Sequence, residues 1–298
     1  MHMKKTLLIC VIVFAVGTVS AQKDYSKVEI KPTKLSDTVY MLEGSGGNIG
    51  ASIGEDGVLI VDAQFAPLAD KIKAAVGALG GGAPSFLLNT HHHGDHTGGN
   101  PAFGEDAVII THQNVRKRLL DRKVDGNPLP KVALPEITYK DGLTVHYNGE
   151  TLGVVHFKHS HTDGDGVVFF KGSKVVHTGD LFFNGRFPYI DLNSRGSVQG
   201  VINTITKLTK MIPEDWQIIP GHGSLASLKD LKTYLMMLEV TSSIVRERMN
   251  EGMTLEQCQK AGLPEKWKGW GEAYINTNRW ISIIYNSYSS PEPKKDEK

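Results

Sequence analysis

Residues 91–96 form the run His91-His92-His93-Gly94-Asp95-His96, in which four imidazoles and one carboxylate occupy six positions. The run follows a short apolar segment, residues 86–88, that is typical of a buried strand. Side chains two positions apart on an extended segment point the same way, so the first and third histidines can face one point. The aspartate and the last histidine follow on the turn and can face a second point. Imidazole nitrogens and carboxylate oxygens are preferred zinc ligands. The strand before the run and the Gly94-Asp95 pair within it argue against an incidental histidine cluster. The run therefore predicts a metal site.

Further ligands must come from distant parts of the chain, because one hexapeptide cannot complete two metal sites. Three candidates stand at the ends of predicted strands beside small residues: His161, Asp180 and His222. Glycine next to a ligand lets the backbone approach a metal closely and bend sharply away. The remaining histidines lack such a motif and are not assigned to metal, and His92 is expected to lie behind the ligands.

Together these residues resemble the signature of the metallo-β-lactamase superfamily, which is His-x-His-x-Asp-His followed by isolated His, Asp and His ligands. All seven positions match in order, over roughly residues 35–225. The resemblance implies a four-layer αββα sandwich that binds two zinc ions, with iron or manganese able to replace one. It assigns the first zinc to His91, His93 and His161. It assigns the second to Asp95, His96 and His222, with Asp180 bridging the pair.

The resemblance also implies a hydrolytic reaction. Two adjacent divalent cations lower the pKa of a shared water toward neutrality and polarise the substrate oxygen. Asp95 is the expected catalytic residue, because it is both a ligand and the carboxylate nearest to the resulting hydroxide, which it can orient while it relays a proton to the leaving group. The one Gly-x-Ser-x-Gly match, residues 50–54, falls within a predicted strand and not at the strand-to-helix turn that a nucleophile elbow needs, so serine hydrolase chemistry has no support.

The bridging position and the segment after it bear on the substrate. Asp180 stands where the β-lactamases of this superfamily carry Cys or Ser, and it resembles the branches that hydrolyse thioesters, lactones, sulfate esters or phosphodiesters. Residues 181–189 combine aromatic rings with Asn184, Arg186 and Tyr189, which are the candidate substrate-binding residues. They suit a partly apolar small molecule bearing a carboxylate or phosphate. Alternatively, the phenylalanines are core residues and Arg186 pairs with an acid.

The main hypothesis is a hydrolase of esters, lactones or amides, β-lactams included. A phosphodiesterase or alkyl-sulfatase of the same fold is the alternative, and a zinc-binding recognition protein without turnover is another. A redox protein with iron in the same ligand set would need a flavin-binding partner domain, which does not follow here. The basic residues of 116–135, which are expected to form a long loop, are hypothesised to recognise the substrate anion together with Arg186.

The first 21 residues have the features of a secretory signal peptide. Lys4 and Lys5 precede an apolar run over residues 7–19, and Val19-Ser20-Ala21 predicts cleavage after Ala21. The run is shorter than the ~20 residues that cross a bilayer, so the protein is expected to be periplasmic or secreted without a membrane anchor. Cleavage leaves 31 basic and 32 acidic residues, so the sequence shows no excess of positive charge that would predict nucleic-acid binding. Cys258 alone remains, so no internal disulfide can form, and the oligomeric state is open.

The pattern of elements predicts an α/β fold with two sheets covered by helices. Residues 22–290 are expected to form the hydrolase domain, with a helical region from about residue 227, and residues 291–298 a disordered tail. Helices are predicted at these ranges: 68–79, 113–121, 197–211, 227–250, 254–260 and 272–288.

Overall fold

The computed structural model describes residues 24–289. The predicted signal peptide and the predicted C-terminal tail lie outside these residues. Within the described range, no helix combines the length and the hydrophobicity that crossing a bilayer requires.

Two sheets form the centre of the fold. The first contains β1 (Lys31–Lys34), β2 (Val39–Glu43), β3 (Ile49–Gly54), β4 (Gly57–Val61), β5 (Pro84–Leu88), β6 (Val108–His112) and β9 (Ile137–Tyr139), in that spatial order. The second contains β10 (Gly142–Tyr147), β11 (Glu150–His156), β12 (Gly166–Phe170), β13 (Val175–His177) and β14 (Gln217–Ile219). Strands β4, β5, β6 and β9 run parallel, as do β13 and β14, and the other pairs in these sheets are antiparallel.

Helices cover the outer face of each sheet. They are α1 (Ala69–Ala78), α2 (Gly94–Thr97), α3 (Asn100–Phe103), α4 (Gln113–Asp121), α5 (Val198–Met211), α6 (Leu228–Asn250), α7 (Leu255–Ala261) and α8 (Thr277–Ser289). Short 3-10 segments include Gly179–Leu181 and Glu265–Glu272. A two-stranded hairpin, β7 (Lys123–Val124) and β8 (Asn127–Pro128), projects between α4 and β9.

The period of two along the strands produces the four layers. On β4, Leu59 and Val61 face the second sheet, whereas Val58 and Ile60 face the helical layer that contains α1. On β12, Val168 and Phe170 face the first sheet, and the alternate residues face the layer that contains α5, α6 and α8. Apolar residues thus fill one core between the sheets and one outside each sheet. The four-layer αββα prediction is confirmed.

Two element predictions were wrong. Residues 116–135 are not one long loop, because α4 continues to Asp121 and a hairpin follows. The hairpin turn is Asp125-Gly126, where both residues have positive φ, as a two-residue turn requires. The last helix begins at Thr277 rather than near 272, since the Asn276 side chain accepts the backbone N–H of Arg279 and caps the helix there.

Two imidazoles stack where the sheets adjoin. His112 ends β6 and His156 ends β11, and their ring centroids are 3.7 Å apart with an interplanar angle of 12°. The His112 side chain also accepts the backbone N–H of Asn114 and so caps α4. The capping role requires a neutral His112, because protonated Nδ1 cannot accept a hydrogen bond.

We expect thermal stability to fall as the pH drops from 6.5 toward about 4. Burial and the neighbouring His156 lower the pKa of His112 from 6.5 to about 4, so the unfolded chain binds this proton more readily than the folded one. His112→Asn keeps a capping acceptor that does not titrate. The melting temperature of this variant should therefore depend less on pH, and parallel curves for variant and wild type would contradict this role.

Candidate metal centre

The predicted ligands lie together at one edge of the sandwich. The run 91–96 follows β5, Asp180 lies just after β13, and His222 lies just after β14. These strands are parallel to a neighbour in their own sheet, so their carboxyl ends reach the same edge. His161 arrives on the turn between β11 and β12.

Three imidazoles form a first group. Nδ1 of His93 lies 3.1 Å from Nε2 of His91 and 3.0 Å from Nε2 of His161. The outer nitrogen of each ring contacts an oxygen that accepts its proton: His161 Nδ1 with the Tyr189 carbonyl at 2.9 Å, His93 Nε2 with the Asp191 carboxylate at 2.9 Å, and His91 Nδ1 with Thr90 Oγ1 at 3.0 Å. Thr90 can accept because its own hydroxyl proton goes to Asp62.

These outer contacts determine the tautomers. A neutral imidazole carries one proton, so a proton on the outer nitrogen leaves a lone pair on the inner one. The three inner nitrogens therefore direct lone pairs at a common point, where they repel one another unless a cation lies between them. This arrangement fits a metal ion.

A second group contains Asp95, His96 and His222. Nε2 of His222 lies 3.2 Å from Oδ2 of Asp95, and Nε2 of His96 lies 3.8 Å from the same oxygen. Nδ1 of His96 lies 2.7 Å from Oδ2 of Asp62, which again places the imidazole proton on the outer nitrogen. The ligand atoms in each of the two groups lie within 4.8 Å of one another, so either group could hold a metal ion.

Two buried atoms support this fit. His96 Nε2 and Asp180 Oδ1 are 3.0 Å apart, yet neither makes a hydrogen bond among residues 24–289. Buried polar atoms without a partner are rare in proteins, and coordination to a cation would satisfy both. Glycines make the close packing feasible: a Cβ at Gly47 would lie 2.1 Å from the His96 ring, and one at Gly221 would lie 2.2 Å from Asp180 Oδ1.

The electrostatics of the two groups differ. Burial and the neighbouring His96 lower the pKa of His91 well below its ordinary value, and burial lowers that of His161 to about 4. Burial also disfavours the charged form of His222, but the carboxylates of Asp180 and Asp95 outweigh it and raise its pKa to about 9. Burial thus favours the neutral form of His91 and His161, whereas the carboxylates favour the charged form of His222.

Two carboxylates that orient the imidazoles from behind, Asp62 and Asp191, were not predicted from the sequence. Asp62 follows β4 and is fully buried, and it accepts hydrogen bonds from the Thr90 backbone and hydroxyl as well as from His96. Asp191 also accepts from the Ser194 backbone. The only sequence signal for Asp62 was a carboxylate at the end of the apolar strand β4, Gly57–Val61. Asp191 had no such signal.

His92 lies behind the first group, as expected. Its Nε2 lies 3.8 Å from Asp191 Oδ2 and 3.3 Å from Ser194 Oγ. Together with His93 and Asp191 it forms a third set of candidate ligand atoms. His93 Nε2 and Asp191 already share a hydrogen bond there, so this set is partly satisfied without an ion.

A cavity of about 610 Å³ opens above the metal ligands. His93, Asp95, Asp180 and His222 line its floor, and Phe65, Phe183, Phe187, Tyr189 and Tyr274 line its walls. Arg186 lines it too, and in the described part of the chain no carboxylate lies within ion-pair distance of its guanidinium. The alternative in which Arg186 pairs with an acid is therefore not observed. The segment's phenylalanines are buried, as the core alternative expected.

Two substrate-binding predictions are not supported by the positions of the side chains. Asn184 does not line the cavity, because its amide donates to the Ser224 carbonyl at 3.1 Å. The basic segment 116–135 does not reach the cavity either. Its arginines are engaged elsewhere: Arg116 with the Pro135 carbonyl, Arg118 with Asp163, and Arg122 with the His92 carbonyl and Thr97.

A family model of the Metallo-beta-lactamase superfamily matches residues 43–234. A metallo-beta-lactamase from Pontibacter korlensis superposes with a TM-score of 0.59 at 17% identity, over 71% of this chain and 99% of that one. A stereoselective inverting sec-alkylsulfatase from Pseudomonas sp. superposes with a TM-score of 0.66 at 16% identity, over 87% of this chain and 50% of that enzyme. No curated protein sequence matches the chain.

The structural likenesses show a shared fold, and the family match covers well over half of the sequence. The resemblance inferred from the histidine signature is thereby confirmed, and the chain belongs to the metallo-β-lactamase superfamily.

Proposed function

We propose that the protein is an exported, binuclear zinc hydrolase that cleaves an ester, lactone or amide bond, β-lactams included, in an anionic small molecule. The position of Asp180 supports this most strongly. Its Oδ2 lies 3.7 Å from His91 Nε2 and 3.6 Å from His161 Nε2. Its Oδ1 lies 3.0 Å from His96 Nε2 and 3.3 Å from His222 Nε2. A carboxylate that offers one oxygen to each group suits a ligand shared by two ions.

In this proposal His91, His93 and His161 hold one ion, and Asp95, His96 and His222 hold the other. When bound, the two ions supply Lewis acidity that activates water and polarises the scissile carbonyl. Asp95 lines the cavity floor, and its side chain is 26% exposed, the most open of the ligand carboxylates. Its Oδ2 can accept a proton from the attacking water and pass it to the leaving group.

Arg186 and Tyr189 supply the contacts that distinguish substrates. A guanidinium without a carboxylate partner, on the wall of a largely aromatic cavity, suits a carboxylate or another anionic group of the substrate. Tyr189 adds an aromatic face whose ring lies 5.7 Å from that of His93. Export rests on the sequence of residues 1–21.

The mature protein is expected to bind about two zinc ions, because seven ligands exceed the four or five positions around one ion. Asp180→Asn should reduce the stoichiometry toward one and strongly lower turnover, since an amide oxygen carries no charge to share between two cations. Elemental analysis of the zinc-supplemented protein also reports any iron or manganese. A single metal in the wild type would refute the binuclear site. Unchanged stoichiometry and rate in the variant would show that Asp180 is only a turn residue.

The two carboxylates behind the imidazoles are expected to affect metal binding differently. Asp191→Asn should weaken the ion held by His93, and Asp62→Asn chiefly the ion held by His96, each by ~10- to 100-fold in affinity, since ring orientation and basicity depend on these contacts. Asp62→Asn should also weaken the first ion to a smaller extent, because Asp62 orients His91 through Thr90. Chelator competition measures both affinities. Asp215→Asn is the matched control, because Asp215 forms an exposed ion pair with Lys174. Variants that match this control would show that neither carboxylate acts on a metal.

The reaction itself is tested by offering the zinc-loaded protein esters, lactones, β-lactams, thioesters, sulfate esters and phosphodiesters. Within the best class, Arg186→Ala should raise KM for an anionic substrate by ~10- to 100-fold, with kcat and metal content unchanged. Arg186→Lys should recover only part of this loss, because the planar fork of arginine is missing. The neutral methyl ester of the same substrate is the control. Equal KM changes for acid and ester would end the anion-recognition hypothesis.

A further inference from the structure

Tyr274 is an aromatic side chain that the fold leaves in solvent. It is 78% exposed, the highest value among the large hydrophobic residues that the structure describes, and it lines the same cavity as the metal ligands. It lies beyond residues 43–234, which match the superfamily. An exposed aromatic at the mouth of a cavity is a candidate for ligand contact, because folding gains little from leaving it there.

The short segment that carries Tyr274 is anchored at both ends. Before it, Trp267 is buried and packs edge-to-face on Trp270, whose carbonyl accepts the Phe187 amide at 3.0 Å. Directly after it, Ile275 is 1% exposed. The residues between these anchors are largely exposed, so the fold presents the ring at the cavity from a short, tethered segment.

A cation holds the ring in place. The Arg279 guanidinium lies 4.6 Å from the Tyr274 ring and 5.7 Å from the Tyr189 ring. Within residues 24–289 no carboxylate pairs with Arg279, so these two rings are its principal contacts. Because the Tyr189 ring in turn lies 5.7 Å from that of His93, the rings and the guanidinium form a continuous wall from the metal ligands to the mouth.

The chemistry of this wall indicates what it contacts. Among the described residues, the only carboxylates that line the cavity are the metal ligands Asp95 and Asp180, and Arg186 is the only arginine or lysine that lines it. An anionic group can therefore bind Arg186 while a flat, uncharged group lies against the wall. Stacking geometry favours an aromatic ring over an aliphatic one of similar size, because ring faces and edges carry complementary partial charges.

We propose that Tyr274, held by Arg279, is a specificity-determining residue that stacks on an aromatic group of an anionic substrate. This inference rests on the proposed function for the identity of the cavity as the substrate site. It adds to that function the class of substrate: an ester, lactone or amide that carries both an anionic group and an aromatic ring.

Two product-like acids test it without turnover. Phenylacetate and cyclohexylacetate have the same charge and carbon number, and their affinities for the zinc-loaded protein can be measured by calorimetric titration. The wild type should bind phenylacetate more tightly than cyclohexylacetate. Tyr274→Ala should reduce this preference, the ratio of the two affinities, by ~3- to 10-fold. Tyr274→Phe should retain it, since the ring is kept. Arg279→Met should reduce it in part, because the ring loses its support.

Two controls define the site. Tyr288→Ala removes another tyrosine paired with an arginine, Arg246 at 4.8 Å, outside this cavity, and should leave the preference unchanged. Arg186→Ala should weaken both acids alike. An unchanged preference in Tyr274→Ala, its loss in Tyr274→Phe, or no phenylacetate binding by wild type would overturn the inference. The two hypotheses can fail independently. If the aryl preference depends on Tyr274 but no substrate class is turned over, the proposed hydrolysis is wrong and the inference on Tyr274 stands.

Discussion

Five imidazoles and two carboxylates crowd a largely buried space at the floor of the cavity, and the surrounding structure serves to make that arrangement stable. Buried ionisable groups destabilise a fold unless they are paired, oriented or bound to a cation. Here the outer hydrogen bonds orient each ring of the first group, so its inner nitrogens all present lone pairs. Repulsion between these lone pairs is unfavourable, but the same arrangement preorganises the ligand set. Preorganisation is the usual condition for tight and geometrically defined metal binding.

The sandwich makes this crowding possible because it brings the ends of strands, and not their interiors, to the site. Strand interiors are buried on both faces and carry apolar residues, as on β12, whereas the residues just beyond strand ends are free to be polar. Ligands therefore come from turns that rigid strands position. Gly47 and Gly221 let these turns approach the ligand atoms more closely than any side chain would permit.

The helical region after residue 234 adds a second level of organisation. Its tryptophans pack into the core formed with the second sheet, and this packing carries the segment with Tyr274 over the cavity. The residues that match the superfamily supply the metal ligands, whereas the later segment supplies part of the substrate wall. Such a division allows the reaction chemistry and the substrate preference to change independently, since no ligand lies between residues 235 and 289.

The sequence alone determined what depends on local spacing. The run 91–96, the small residues beside His161, Asp180 and His222, and the period of the strands were sufficient for the fold and for the ligands that the structure brings together. Contacts between distant segments were decided only by tertiary structure. Asp191 and His93 are 98 residues apart, and neither has a neighbour that signals the other. The same holds for Arg279 and Tyr189, which meet because α8 packs on α5 and α6 in the helical layer over the second sheet. Spacing constrains side chains along one element, whereas pairs between elements depend on how the layers pack.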